Sequence, residues 1–111
     1  MNIKQESEGN IVILSLVGRL DTMNHPLLEN ELNMLMENKL QHIVLDCQDL
    51  DYVSSSGLRV LLKALKQFDA ISGRFIICSL QPQIVQIFRI SGFDKLFELF
   101  PGRKEALASF I

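Results

Sequence analysis

Apolar residues recur along this chain at two spacings, every second residue in some segments and every third or fourth in others. Two extended runs, residues 2–6 and 11–17, flank the turn signal Glu8–Gly9–Asn10 and predict a β-hairpin. The even positions of the second run are all apolar, and only Ser15 makes its odd positions polar. This pattern is typical of a strand that is covered on most of both faces.

Four later segments place apolar residues on one face of a helix. Thr22 or Asn24 can cap the first helix, Ser54–Ser55–Ser56–Gly57 opens the second, Pro82 starts the third, and residues 102–111 form the fourth. The predicted packing stripes are Leu28, Leu32, Leu35 and Met36; Leu58, Leu61, Leu62, Leu65 and Phe68; Ile84, Val85, Ile87 and Phe88; and Ala106, Leu107 and Phe110.

Between these helices lie short apolar runs without clean alternation, which favours buried strands. They cover residues 42–47, 74–78 and 96–100, and residues 48–53 are predicted to be a polar loop. The resulting order is β-β-α-β-α-β-α-β-α. It predicts an α/β fold in which a mixed β-sheet packs against about four helices, and the length of 111 residues suits one domain over residues 1–111.

Composition narrows the functional classes. The formal net charge of −2 gives no basis for nucleic-acid binding, and the basic residues Arg59, Lys63 and Lys66 are interpreted as a solvated helix face. The N-terminus does not resemble a signal peptide, and no apolar run approaches the ~20 residues of a membrane span, so we expect a cytoplasmic protein without a membrane partner. The two cysteines, Cys47 and Cys78, fit reduced core thiols.

Signs of catalysis or of a cofactor are weak. The histidines, His25 and His42, are predicted at the surface or at an element edge, and no histidine, cysteine and aspartate cluster has metal-ligand spacing. The scattered glycines form no phosphate loop. The aspartates Asp46, Asp49 and Asp51 at one strand end could ligate Mg²⁺, but a solvated acidic loop is the favoured interpretation. We therefore predict no enzyme, no metal and no cofactor.

The serine run has a simple structural explanation, because one serine caps a helix by accepting a hydrogen bond from its first turn. Three serines followed by Gly57 exceed that need. The surrounding segment, residues 43–62, resembles the signature of the STAS family, which includes bacterial anti-sigma factor antagonists. Asp49–Leu50 and Tyr52–Val53 match its loop, and Ser55–Ser56–Gly57–Leu58 matches its S-S-G-L block.

Weaker matches extend the resemblance over nearly the whole chain. Gly18–Arg19–Leu20–Asp21 is similar to the family's G-x-L-D, and Pro82–Gln83–Ile84 and Ser91–Gly92–Phe93 are similar to its later motifs. The resemblance implies that Ser55 is phosphorylated, with Ser56 as second choice. The best-known members carry aspartate where this chain has Ser54.

The resemblance also implies a function. The chain would be an anti-sigma factor antagonist that binds an anti-sigma factor serine kinase and so releases a sigma factor, with a PP2C-like serine phosphatase as the second partner. The predicted contact surface contains Asp21, Ser54, Ser56, Gly57, Leu58 and Arg59. The alternatives are a STAS subunit of a stressosome-like or transporter-associated assembly and, as a different class, a nucleotide-binding protein.

Overall fold

The computed structural model describes all 111 residues. In chain order the elements are β1 (Asn2–Glu8), β2 (Ile11–Leu20), α1 (His25–Glu37), β3 (His42–Val53), α2 (Ser55–Ala70), β4 (Arg74–Cys78), α3 (Pro82–Ser91), β5 (Leu99–Phe100) and α4 (Arg103–Ala108). A short 3₁₀ turn, Phe93–Lys95, lies between α3 and β5. The predicted element order and fold class are confirmed.

The five strands form one mixed sheet in the order β1-β2-β3-β4-β5, which is also their order along the chain. β1 is antiparallel to β2, as expected of a hairpin, and β2 to β5 run parallel. Parallel neighbours need a crossover connection, which α1, α2 and α3 supply with their loops. All parallel strands therefore end at the same edge of the sheet, and the loops that follow them meet there.

The sheet has one heavily covered face and one partly covered face. Val12, Leu14, Leu16, Ile43, Leu45, Phe75 and Ile77 project from the first face into a core with α1, α2 and α3. Ile13, Val44, Ile76 and Cys78 project from the second face against Ala106 of α4. Since α4 has only six residues, part of the second face around β1 and β2 keeps polar side chains.

Residues 48–53 are not a polar loop, because they continue β3. Asp49 pairs with Val17 and Val53 with Leu20 of β2, with one register irregularity between these pairs and a second one just before them. Leu50 and Val53 are buried, while the other residues are exposed. The backbone pairing with β2 holds this polar stretch extended, and bulges of this kind increase local twist.

Two other predictions differ from the structure, namely the length of the last strand and the buried face of α2. The run 96–100 supplies only a two-residue strand, because residues 93–95 form the 3₁₀ turn and Leu96 is 54% exposed. In α2 the fully buried residues are Gly57, Val60, Leu61, Ala64 and Phe68, whereas Leu58, Leu62 and Leu65 are half-buried. No helix of the chain has the length and apolar character that a bilayer crossing requires.

Candidate functional site

The predicted site residues meet at the carboxyl ends of β2 and β3. Leu20 pairs with Val53 at the ends of these strands, and the backbone N–H of Ser54 donates to the carbonyl oxygen of Leu20 at 2.9 Å. The loop that begins at Asp21 therefore lies beside the serine run, although Asp21 and Ser54 are 33 positions apart in the sequence. Loops that follow parallel strands are where α/β folds usually place their binding sites.

Ser54 is the N-cap of α2. It has extended backbone angles, φ −83° and ψ 172°, and its hydroxyl oxygen accepts a hydrogen bond from the Gly57 N–H at 3.1 Å. A hydroxyl cap of this kind satisfies one of the N–H groups that the first turn leaves free. The first of the three serines thus accounts for the structural cap.

Ser56 ties the serine run to the neighbouring loop. Its hydroxyl lies 2.8 Å from the Ser54 hydroxyl and 3.0 Å from the hydroxyl of Thr22. The three side chains form a neutral chain of hydrogen bonds that ends at the Gly57 N–H. This chain joins the start of α2 to the β2–α1 loop through side chains that are exposed or half-buried.

Ser55 differs from both of its neighbours. It is the first residue of α2, it is exposed, and its hydroxyl makes no hydrogen bond. A phosphate on Ser55 would break no side-chain contact, whereas a phosphate on Ser56 would disrupt both of its hydroxyl contacts. The N-terminus of a helix also favours negative charge.

Gly57 and Leu58 support this surface from below. A Cβ atom on Gly57 would lie 2.8 Å from the carbonyl oxygen of Leu20 and 3.2 Å from a methyl group of Val53. Gly57 is buried and Leu58 packs partly against the core, so neither offers much surface to a partner. Arg59, by contrast, is exposed and makes no ion pair.

Asp21 shapes its own loop. Its carboxylate accepts hydrogen bonds from the N–H groups of Met23 at 3.0 Å and Asn24 at 3.2 Å, and it lies 3.6 Å from Arg19. Arg19 also covers the ring of Tyr52, with its guanidinium carbon 4.1 Å from the ring centroid. Asp21 therefore reaches the predicted surface with its carboxylate already engaged.

Two residues of this surface were not predicted from the sequence as site residues. Thr22 was considered only as a helix cap, yet its hydroxyl contacts Ser56, and the N-cap of α1 is Asn24. Met23 is 89% exposed beside it. Thr22 could have been found from its position directly after the Gly18–Arg19–Leu20–Asp21 motif, whereas an isolated methionine gives no such signal.

The aspartates considered as a metal site do not converge. Asp46 is buried on the partly covered face of the sheet, where its carboxylate accepts from the guanidinium of Arg103 at 3.0 Å. A polar cavity of about 190 Å³ lies on this face, opposite the helical core, and both Asp46 and Asp49 line it. No group of three or more histidine, cysteine, aspartate or glutamate side chains is arranged so that it could hold a metal ion.

The histidines lie apart from the hydrogen bonds of the serine run. His25 shares a hydrogen bond of 2.9 Å with Glu29, and His42 packs edge-on against Phe110 with 5.5 Å between ring centroids. His42 is the first residue of β3, whereas the serine run follows its last residue. The side-chain hydrogen bonds of the serine run are therefore made with hydroxyl and backbone groups.

The fold agrees with one family. The family model for the STAS domain matches residues 2–106, and the chain belongs to this family. A Bordetella bronchiseptica protein, provisionally named anti-sigma factor antagonist BtrV, is 34% identical over 110 residues, which cover 99% of this chain and 95% of that protein.

Solved structures share the fold at lower identity. A Thermotoga maritima protein, also provisionally described as an anti-sigma factor antagonist, superposes with a TM-score of 0.92 at 18% identity, covering 96% of this chain and 92% of its own. The Bacillus cell fate determinant SpoIIAA in its phosphorylated form gives a TM-score of 0.78 at 20% identity, covering 99% of this chain and all of its own.

Proposed function

We propose that this protein is an anti-sigma factor antagonist, a binding module whose affinity for an anti-sigma factor serine kinase is switched by phosphorylation of Ser55. The whole chain, residues 1–111, would act as one STAS module in the cytoplasm, where sigma factors work. Its relative BtrV, 34% identical over almost its full length, carries the corresponding name. In this scheme the chain performs no catalysis, because its partners add and remove the phosphate.

The observation that carries the proposal is the state of the Ser55 hydroxyl. It is exposed, free of hydrogen bonds and placed at the first residue of a helix. A kinase can reach it without unfolding its surroundings, and the helix terminus tolerates the added charge. Ser56 is the second choice, since its hydroxyl is already held by Ser54 and Thr22.

The surface around Ser55 explains why the phosphate would act as a switch. Its neighbours Ser54, Ser56 and Thr22 are neutral, and Asp21 is partly neutralised by Arg19. A phosphate adds a charge of about −1.5 to −2 at pH 7. A partner surface that fits the neutral form would then meet an added anion, which costs desolvation and repulsion.

The proposed partners follow from the same switch. The kinase would be the anti-sigma factor itself, which binds the unphosphorylated protein and releases its sigma factor. A PP2C-like serine phosphatase would restore the free hydroxyl. The contact surface would consist of Asp21, Thr22, Ser54, Ser56 and Arg59, with Gly57 and Leu58 holding its shape from below.

The experiment compares three variants in titrations with the cognate anti-sigma factor kinase. Ser55→Ala should bind as the unmodified protein does, whether or not ATP is present. Ser55→Asp should bind more weakly and keep the thermal midpoint of the wild type, because Ser55 makes no contact that the change removes.

Ser56→Asp is the matched control, because it places the same charge one residue later. If Ser56→Asp weakens binding while Ser55→Asp does not, the switch belongs to Ser56. Intact binding by both variants, together with the absence of phosphate after incubation with kinase and ATP, would reduce the serine run to a helix cap.

A further inference from the structure

Arg59 is an exposed cation near the start of α2 that has no partner of its own. It makes no ion pair and no side-chain hydrogen bond, and it is the only charged residue in the first two turns of the helix. The next cation, Lys63, already lies 3.5 Å from Glu29 of α1. Arg59 is therefore free to engage a group that the unmodified protein does not contain.

The helix geometry directs Arg59 toward Ser55. The two residues are separated by four positions, so they lie on one face of α2 with their Cβ atoms about 5–6 Å apart. Cα–Cβ bonds tilt toward the N-terminus of a helix, and a long side chain covers the turn that precedes its own Cα. For Arg59 that preceding turn begins at Ser55.

Other cations near the site are occupied or too far away. Arg19 is 3.6 Å from Asp21 and lies over the ring of Tyr52. Lys63 is eight residues from Ser55, which corresponds to about 12 Å along the helix axis. At physiological salt this distance exceeds the Debye length of about 8 Å.

We propose that Arg59 binds the phosphate of phosphorylated Ser55 within the same chain. Guanidinium groups pair with phosphate oxygens through two parallel hydrogen bonds, which a free Arg59 at this spacing can form. Phosphorylation would then change the surface in two ways. It would add an anion, and it would also make the Arg59 guanidinium unavailable to the partner. This inference rests on the proposed function in one respect, that Ser55 carries the phosphate.

The test uses the full chain with phosphoserine encoded at position 55, so that it depends on no kinase. The second pKa of the phosphate, ordinarily about 6, is followed by phosphorus NMR in the otherwise wild-type chain, in Arg59→Gln and in Lys63→Gln. A nearby cation favours the dianion and lowers this pKa. A surface i,i+4 pair corresponds to a decrease of about 0.3 relative to Arg59→Gln.

Lys63→Gln is the matched control, since it removes the same charge one turn further along α2. It should leave the phosphate pKa within about 0.1 of the parent, and 1 M salt should shrink the Arg59 effect. Equal phosphate pKa values in the Arg59→Gln and Lys63→Gln proteins would overturn the inference. That result would not contradict the proposed function, because the proposed function is tested separately by partner binding and by kinase treatment of the unmodified chain.

Discussion

Gly57 determines how closely α2 can start against the end of β2. The same carbonyl oxygen of Leu20 accepts the N–H of Ser54 and faces the position where a Cβ on residue 57 would lie, at 2.8 Å. Any side chain there would push the helix start away from the strand and weaken the bond that places the serine run. The glycine of the S-S-G-L block is therefore required for a steric reason, namely the close packing of α2 against the end of β2.

The two buried thiols make the stability of the protein depend on pH. Cys47 and Cys78 are both free and buried, one in each of the two apolar cores. Burial raises the pKa of the Cys47 thiol well above its ordinary value. Burial also raises the pKa of the Cys78 thiol from 9.0 to about 11, with a hydrogen bond to Ser79 acting in the opposite direction.

We expect the protein to lose stability as the pH rises from 9 to 11. Below pH 9 the Cys78 thiol keeps its proton in both the folded and the unfolded chain. Between pH 9 and about 11 the thiol loses its proton in the unfolded chain but keeps it in the folded chain. The free energy of unfolding should fall by up to about 1.4 kcal/mol per pH unit from this group. Urea denaturation of wild type and Cys78→Ala measures it, and identical pH slopes would contradict the expectation.

At the scale of elements, pattern alone located every helix and strand but misplaced some of their limits. The hairpin and the crossover helices have periodic apolar residues and the buried strands have continuous apolar runs, so their positions were predictable. Residues 48–53 carry no strand pattern, because backbone pairing with residues 17–20 of β2 holds them extended. Such pairing between distant segments leaves no local signal.

The same limit explains which site residues could be predicted from the sequence. The motif match brought together Asp21 and the serine run, which the strand pairing of Leu20 with Val53 places side by side. The contact between Thr22 and Ser56 depends on how the β2–α1 loop turns, and that turn is set by the hydrogen bonds of Asp21. The position of Thr22 directly after the Asp21 motif is a sequence signal for the site, and the folded loop shows the contact itself.

Helix α2 offers a direct test of which face is buried. Leu61 is 1% exposed, whereas Leu62 only covers the core edge, contrary to the prediction that both are buried. Leu61→Ala should cost about 2–5 kcal/mol through loss of burial and an unfilled cavity. Leu62→Ala should cost about 1 kcal/mol, because solvent can occupy the vacated space.

Chemical denaturation of the two variants in parallel distinguishes these faces. The midpoint for Leu61→Ala should fall well below that for Leu62→Ala. A reversed order would mean that α2 is rotated about its axis relative to this structure, and it would also move Arg59 to a different face.

At the scale of the molecule, one side chain fastens the last helix to the first three strands. Arg103 of α4 donates to Asp46 of β3 at 3.0 Å, to Ser15 of β2 at 2.9 Å and to Glu6 of β1 at 3.3 Å. Burial lowers the pKa of the Arg103 guanidinium, but the hydrogen bond and charge of Asp46 outweigh it and raise the pKa overall. The pair of Arg103 and the buried Asp46 therefore covers part of the polar region on the second face of the sheet.

Removal of Arg103 should therefore destabilise the whole domain. Arg103→Met leaves the Asp46 carboxylate buried with only the Gln48 N–H as partner, and we expect a loss of about 2–3 kcal/mol. Adding Asp46→Asn removes the buried charge and should recover at least half of the loss. Lys104→Met, an exposed neighbour on α4, serves as the control in thermal and urea unfolding. Equal losses in the two single variants would make Arg103 an ordinary surface residue.

The agreement between strand order and chain order bears on how the protein folds during synthesis. Ile11 pairs with His42, His42 with Arg74 and Ile77 with Leu99, so the crossovers close loops of about 22 to 32 residues, at an entropic cost that grows slowly with length. Each new strand adds to an existing edge, and none must be inserted between two earlier strands. The contact of Arg103 with Glu6 is the exception, since it joins residues that are 97 positions apart. Pulsed hydrogen exchange during refolding should accordingly protect β2 and β3 before α4, which then covers part of the open face of a sheet that has already formed.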